Sequence, residues 1–288
     1  MRKAGMRWAM KPQTKSGEKI RVATLQERKS RGQKIVMVTA YDYPTGRLAD
    51  EAGVDVILVG DSLGNTVLGF ENTIPVTLEQ MIHHTAAVRR GAKRALLVGD
   101  MPFMTYKVTA EQGLRNAARF VQEGDAEAVK IEGGREVSAT VRRIVEAGIP
   151  VMGHVGLTPQ SVHAQSGYRV QGRGREEAQR LRDDAKALED AGCFAVVLEC
   201  LPWDLAREVT ESLTVPTIGI GSGAECDGQV LVLCDLIGLS FGEPARFVKQ
   251  YGQVGEMIRQ AVAAFREEVR SGAYPDRGHA YEERSTET

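Results

Sequence analysis

Eight short apolar runs alternate with longer amphipathic stretches along most of the chain. The runs are continuously apolar and rich in β-branched residues, a pattern typical of strands buried on both faces, as in parallel sheets. We therefore predict eight strands, within the runs that begin at Ile35, Val54, Arg94, Ala128, Pro150, Phe194, Pro216 and Val230.

The amphipathic stretches predict helices between these strands. Several open on Thr or another capping residue and end in Gly just before the next run. Thr77 with Gln80, and Thr109 with Gln112, have the spacing of a capping box. Clear examples are the stretches 77–91, 109–124, 137–148 and 175–192.

The alternation of strands and helices predicts an α/β fold with a parallel sheet. Eight such units within roughly 250 residues favour a closed (β/α)8 TIM barrel. A doubly wound open sheet is the alternative, because the number of strands does not by itself require closure. We expect a single catalytic domain over 21–270, a flexible basic arm over 1–20 and a polar tail over 271–288.

Charge and length favour chemistry on small molecules. The 288 residues include 37 Lys and Arg against 38 Asp and Glu. A near-neutral chain lacks the broad basic surface that nucleic acids or anionic membranes require. We therefore expect neither kind of partner.

The termini and the cysteines favour a cytoplasmic protein. The basic N-terminal segment lacks the continuous apolar stretch of a secretory signal. An organelle transit peptide is the less favoured alternative. No cysteine pair has C-x-x-C spacing, so we expect four reduced, packed thiols. They are Cys193, Cys200, Cys226 and Cys234.

Polar side chains stand at the ends of five successive predicted strands, the second to the sixth. In a barrel these ends converge on the face that carries active sites. The side chains are those of Asp61, Ser62, Asp100, Lys130, Glu132, His154 and Glu199.

Each acidic residue of this set has an ordinary alternative role, as a helix cap or a solvated loop residue. Together they are harder to explain in that way, because buried charges are costly unless they are paired or metal-bound. Asp61, Asp100 and Glu132 form an oxygen-rich group that suits Mg²⁺. Lys130 either neutralises part of this group or binds a substrate carboxylate. The glycine-rich IGIGSG after the seventh run fits a phosphate site or a tight turn about equally well.

Long motifs distributed in order along the chain resemble the ketopantoate hydroxymethyltransferase family. The resemblance runs from about Lys34 to about Phe247. One loop departs from the usual pattern at His163 and Ser166, so the resemblance does not extend to the details of that loop. The motifs are TAYDYPTGRLADEAGVDVILVGDSLGNTVLG, IPVTLEQMIHHTAAVRRG, VKIEGG, GHVGLTPQSV, GYRVQGRG, VLEC and IGIGSG.

The resemblance implies a barrel of the phosphoenolpyruvate/isocitrate-lyase-like type. It also implies Mg²⁺, 5,10-methylenetetrahydrofolate as co-substrate and a homodecamer of two pentameric rings. The family's metal site falls on Asp61 and Asp100, with Glu132 near the metal. Its other substrate-binding groups fall on Ser62, Lys130 and His154, and its general base on Glu199.

The activity implied is hydroxymethyl transfer to 3-methyl-2-oxobutanoate, giving 2-dehydropantoate for pantothenate and coenzyme A synthesis. Asp61, Asp100 and Glu132 are expected to be occupied with metal and would be poor bases. Glu199 is therefore expected to take the C3 proton, and His154 is the competing base. Two alternatives remain open. One is a metal-dependent carbon–carbon lyase of the same barrel type, and the other is a non-catalytic assembly protein that kept the fold.

Overall fold

A computed structural model describes residues 17–165 and 167–281. The chain divides into two compact units, one that ends at Leu231 and one that begins at Val232. Most of the predicted arm, the end of the predicted tail and Ser166 lie outside the described residues. The bounds predicted for the catalytic domain stay a prediction.

The first unit is built on a closed barrel of parallel strands. Strand β1 pairs with β2 on one side and with β8 on the other, so the sheet has no free edge. The predicted barrel is therefore confirmed, and the open-sheet alternative is wrong. The strands are β1 (Ile35–Thr39), β2 (Val56–Val59), β3 (Leu96–Asp100), β4 (Ala128–Glu132), β5 (Val151–Gly156), β6 (Ala195–Glu199), β7 (Thr217–Ile220) and β8 (Gly228–Leu231).

Helices separate most of these strands, as the amphipathic stretches predict. Short 3-10 turns occupy Arg135–Val137 and Pro159–Ser161. The α-helices of this unit are α1 (Val22–Ser30), α2 (Tyr43–Glu51), α3 (Leu63–Thr66), α4 (Leu78–Gly91), α5 (Ala110–Gln122), α6 (Ser138–Glu146), α7 (Arg175–Asp190) and α8 (Trp203–Ser212).

The two predicted capping boxes have different outcomes. At α4, the Thr77 side chain accepts from the Gln80 N–H, and the Gln80 side chain accepts from the Thr77 N–H, so this box is complete. At α5, Thr109 accepts from the Gln112 N–H, but the buried Oε1 of Gln112 has no hydrogen-bond partner among the described residues. The second motif is therefore only a one-sided cap.

Apolar side chains fill the barrel beneath the strand ends. Met37, Val98 and Val197 belong to one buried cluster, which also includes Ile20 and Leu25 from the segment around α1. The Ile20 N–H donates to the carbonyl of Arg94, just before β3. This places the α1 segment at the N-terminal end of the barrel, which leaves the opposite end for polar side chains.

The second unit contains α9 (Leu233–Leu236), α10 (Val254–Ser271) and a 3-10 turn (Arg277–His279). The eighth strand predicted from Val230 needs correction, since β8 begins at Gly228 and ends at Leu231. A continuous apolar run does not distinguish a strand from a helix, and this run serves both. None of the helices among the described residues is long and apolar enough to cross a membrane.

Glycine is required at position 156, where β5 lies against β6. Gly156 has φ +100°, and a Cβ there would overlap the carbonyl oxygen of Glu199. Gly148 has φ +89° but open space around it.

We expect Gly156→Ala to lower the free energy of unfolding by more than the roughly 1–3 kcal/mol that such backbone strain alone costs. Gly148→Ala should lower the free energy of unfolding only by the cost of the backbone strain. Equal decreases for the two variants in urea unfolding would contradict this account.

Candidate active site

The ionisable residues predicted from the strand ends lie together at the C-terminal mouth of the barrel. They form a continuous series of contacts from β2 to β6. Five of them are almost fully buried, whereas the Glu199 side chain keeps 15% of its surface exposed. The series, in order, is Asp61, Asp100, Lys130, Glu132, His154 and Glu199.

Lys130 is the positive centre of the acidic end. Its ammonium donates to both carboxylate oxygens of Asp100, at 2.7 and 2.9 Å, and lies 3.6 Å from Glu132 Oε1. The Asp61 backbone N–H donates to Asp100 Oδ2 at 3.2 Å. Burial alone would lower the pKa of Lys130, but Asp100, Glu132 and Asp61 outweigh it and raise the pKa. Lys130 is therefore a permanent cation.

The three carboxylates share this cation unequally. Burial would raise the pKa of Glu132, but Lys130 and His154 lower it to about 2. Burial, followed by the charges of Asp100 and Glu132, raises the pKa of Asp61 well above its usual range. Asp61 forms no ion pair among the described residues. Asp61 is therefore the carboxyl group whose ionised form is least compensated, and it tends to keep its proton unless a further cation is present.

A hard divalent cation fits this part of the mouth. Asp61 is a buried carboxylate without an ionic partner, and Glu132 Oε1 has no hydrogen-bond partner among the described residues. No group of three or more His, Cys, Asp or Glu side chains among those residues is placed to hold a metal ion, so a cation here would depend on further oxygen ligands from water or substrate. A cation held by Asp61 and Asp100 would thus keep positions open for water or substrate, as Mg²⁺ sites usually do.

His154 links the acidic group to Glu199. Its Nδ1 lies 3.5 Å from Glu132 Oε1, and its Nε2 lies 3.2 Å from Glu199 Oε2. These distances suit ion pairs, although neither ring nitrogen has the direction of a hydrogen bond within the described residues. Burial and Lys130 would lower the pKa of His154, but the two glutamates outweigh them and raise it to about 9. At neutral pH His154 is therefore positively charged and a poor base.

Ser62 lies beside Asp61 in sequence but contacts a different set of groups. Its Oγ is 2.8 Å from the hydroxyl of Tyr41, which accepts a hydrogen bond from Thr39 Oγ1 at 2.8 Å. This row of hydroxyls follows the ends of β1 and β2. Ser62 therefore lies at the mouth without a hydrogen bond to the carboxylates of the described residues.

The glycine-rich segment after β7 has the bonds of a tight turn. Ser222 is buried; its Oγ donates to the Leu198 carbonyl at 2.8 Å and accepts from the Leu201 N–H at 3.1 Å. These two residues flank Glu199 and Cys200, and Cys200 has φ +52°. The segment therefore fastens the strand end that presents Glu199. Cys193, Cys200 and Cys226 are free thiols.

Two uncharged residues of the site are absent from the sequence-based prediction. Gln160, in the loop after β5, donates from Nε2 to Asp61 Oδ2 at 2.9 Å. Its backbone N–H donates to Glu132 Oε2 at 3.1 Å. The Tyr106 hydroxyl donates to Gln160 Oε1 at 2.7 Å. The only feature of the sequence that could have indicated Gln160 is its position just after a predicted strand, and no feature of the sequence indicates Tyr106.

Solved structures that are distant in sequence share the barrel fold of this chain. A phosphonopyruvate hydrolase in complex with oxalate and Mg²⁺ superposes with a TM-score of 0.56 at 15% identity, over 90% of this chain and 92% of that one. The 2,3-dimethylmalate lyase, a member of the PEP mutase/isocitrate lyase superfamily, gives 0.53 at 18% identity, over 93% and 91%. These likenesses concern the fold alone.

Sequence comparison is more specific. The 3-methyl-2-oxobutanoate hydroxymethyltransferase of Carboxydothermus hydrogenoformans is 53% identical over 92% of this chain and 96% of its own length. The enzyme of the same name from Moorella thermoacetica is 54% identical over 91% and 98%. The profile of the ketopantoate hydroxymethyltransferase family matches residues 19–277. The chain therefore belongs to the ketopantoate hydroxymethyltransferase family.

Proposed function

We propose that this chain transfers a hydroxymethyl group from 5,10-methylenetetrahydrofolate to 3-methyl-2-oxobutanoate and forms 2-dehydropantoate for pantothenate and coenzyme A synthesis. The observation that carries the proposal is identity above 50% with hydroxymethyltransferases along nine-tenths of the chain. The lyase alternative rests on a shared barrel at 18% identity and has no comparable support. An uninterrupted row of buried ionisable groups also disfavours a non-catalytic protein.

The acidic end of the mouth is the proposed binding site for the oxo acid. Asp61 and Asp100 would hold Mg²⁺, with Glu132 close by. The ion supplies Lewis acidity that polarises the keto group and makes the C3 hydrogen more acidic. Burial raises the pKa of Asp100, Lys130 opposes that shift, and the ammonium places a fixed positive charge where the negative oxo acid would bind. Ser62 offers a hydroxyl at the edge of the same site.

Glu199 is the proposed general base. It is the strand-end carboxylate farthest along the contact series from Asp61 and Asp100, and its side chain keeps 15% of its surface exposed, so that a substrate could reach it. The cationic His154 beside it is a poor proton acceptor but can orient the Glu199 carboxylate. Glu199 takes the C3 proton, and C3 then bonds to the methylene carbon carried by folate. Water supplies the oxygen of the new hydroxymethyl group. Over the whole reaction both bonds from the methylene carbon to the folate nitrogens break, and these nitrogens take up the C3 proton and one proton of water, so that tetrahydrofolate leaves.

We also propose a cytoplasmic homo-oligomer, a homodecamer, on the strength of the family. Folate and the oxo acid would be its small-molecule ligands, with no nucleic-acid or membrane partner. The near-neutral charge of the chain supports the expected absence of these two partners, because it leaves little electrostatic attraction to a nucleic acid or an anionic membrane. Light scattering at working concentration would test the assembly, and a stable monomer would contradict it.

An omission assay tests the proposed activity most simply. The purified protein should form 2-dehydropantoate only when 3-methyl-2-oxobutanoate, Mg²⁺ and methylenetetrahydrofolate are all present. Removal of Mg²⁺ with a chelator should stop product formation, and added Mg²⁺ should restore it. Turnover of a hydroxy acid without folate would instead favour the lyase alternative.

Isotope exchange tests the base. With Mg²⁺ and oxo acid in heavy water, and without folate, the wild-type protein should replace the C3 hydrogen by deuterium. Glu199→Gln should slow this exchange by at least about 100-fold, the lower end of what a positioned base contributes. His154→Asn serves as the comparison and should slow it less, because His154 acts through Glu199. NMR of the oxo acid measures both rates, and wild-type exchange by Glu199→Gln would make His154 the first candidate.

Kinetics separate the two roles of Lys130. Lys130→Ala should raise the KM for the oxo acid roughly tenfold or more, since a charge-assisted contact contributes about 1.5–3 kcal/mol. The KM for folate should change much less. Lys186→Ala removes a surface lysine from an ion pair with Glu189 and should leave both constants unchanged. If the KM for the oxo acid does not move in Lys130→Ala, Lys130 serves only the ion pair with Asp100.

A further inference from the structure

Gln160 is a neutral side chain held among the charges of the mouth. It lies in the 3-10 turn Pro159–Ser161 that follows β5, and only 1% of its surface is exposed. Its backbone N–H and its side-chain amide contact two different carboxylates, Glu132 and Asp61. A single residue of this loop therefore connects acids that come from β4 and from the end of β2.

The amide of Gln160 has one orientation that satisfies its neighbours. Nε2 donates to Asp61 Oδ2 at 2.9 Å and to the Met101 carbonyl at 2.9 Å. Oε1 accepts from the Tyr106 hydroxyl at 2.7 Å. If the amide were turned over, its oxygen would face two acceptors. The Tyr106 hydroxyl also accepts from the Glu132 N–H at 3.1 Å, which ties the amide to β4.

This orientation divides the carboxylate oxygens of the site into two kinds. Oδ2 of Asp61 and Oε2 of Glu132 are occupied by Gln160. Oδ1 of Asp61 and Oε1 of Glu132 accept no hydrogen bond from the described residues. Asp61 can therefore offer Oδ1 to a cation without competition, because Oδ2 already accepts a hydrogen bond from Gln160.

We propose that Gln160 is a positioning residue that restricts Asp61 to single-oxygen coordination and so favours a small cation over a large one. Mg²⁺ requires near-octahedral geometry with few protein oxygens, whereas Ca²⁺ accepts six to eight oxygens and often takes both from one carboxylate. An Asp61 that is held by Gln160 suits the first ion and withholds a ligand from the second. This inference rests on the metal site of the proposed function.

Calorimetric titration of the full-length protein with Mg²⁺ alone and with Ca²⁺ alone tests the proposal. Gln160→Met keeps the size of the side chain but removes the bond to Asp61, so the ratio of Mg²⁺ affinity to Ca²⁺ affinity should fall at least about fivefold from the wild-type value. Gln165→Met is the matched control. Gln165 bonds to Gly156 and Thr158 and has no hydrogen bond to a carboxylate among the described residues, so its variant should keep the wild-type ratio.

Tyr106→Phe gives a second variant should Gln160→Met fail to fold. It frees Gln160 Oε1, and it should shift the ratio in the same direction by a smaller amount. If the folded Gln160→Met variant keeps the wild-type ratio of Mg²⁺ affinity to Ca²⁺ affinity, the proposed role of Gln160 is wrong, but the metal site is not affected. If Gln160→Met does not fold, the same result for Tyr106→Phe leads to the same conclusion. Absence of Mg²⁺ binding by the wild-type protein would overturn both. If the ratio of Mg²⁺ affinity to Ca²⁺ affinity falls equally in Gln165→Met, Gln160 only stabilises the loop, and the proposal is wrong.

Discussion

The ion pair of Lys130 with Asp100 determines the electrostatics of the whole mouth. A buried ammonium and a buried carboxylate are each costly to remove from water, and they are tolerated here because each satisfies the other. The same ammonium lowers the pKa of Glu132 and opposes protonation of Asp100. It does not pair with Asp61. Lys130 and His154 thus compensate Asp100 and Glu132, whereas Asp61 forms no ion pair among the described residues, which is why we propose a further cation beside it.

The barrel supplies the geometry that this arrangement needs. Parallel strands bring residues that are far apart in sequence to one rim, and closure between β1 and β8 fixes the rim as a ring. Apolar side chains fill the interior below the rim, so the ionisable groups pair with one another at the rim. Gly156 allows β5 and β6 to approach at the level of Glu199. The cationic His154 then separates the proposed base from the acids that would hold the metal.

The sequence predicted the scaffold and the charged members of the site, because both leave strong local signals. Continuous apolar runs show buried strands, and Asp100 or Glu132 is conspicuous at the end of such a run. The exact limits of β8 could not be predicted, since Val230 and Leu233 lie in one apolar run but in different elements. Gln160 and Tyr106 escaped prediction because their roles depend on contacts between residues far apart in sequence.

Melting temperature as a function of pH, with and without Mg²⁺, tests the central claim that the ionised form of Asp61 has no compensating positive charge in the metal-free mouth. Its raised pKa contributes stability that is lost as pH rises from the usual carboxyl range, near 4, through the raised value. His154 has the same sign, with its contribution lost as pH rises through about 9. The metal-free protein should therefore become less stable from pH 5 to 9, and Mg²⁺ should stabilise it more as pH rises. Asp61→Asn should remove most of this Mg²⁺ effect; a Mg²⁺ effect that is independent of pH, or unchanged in Asp61→Asn, would contradict the account.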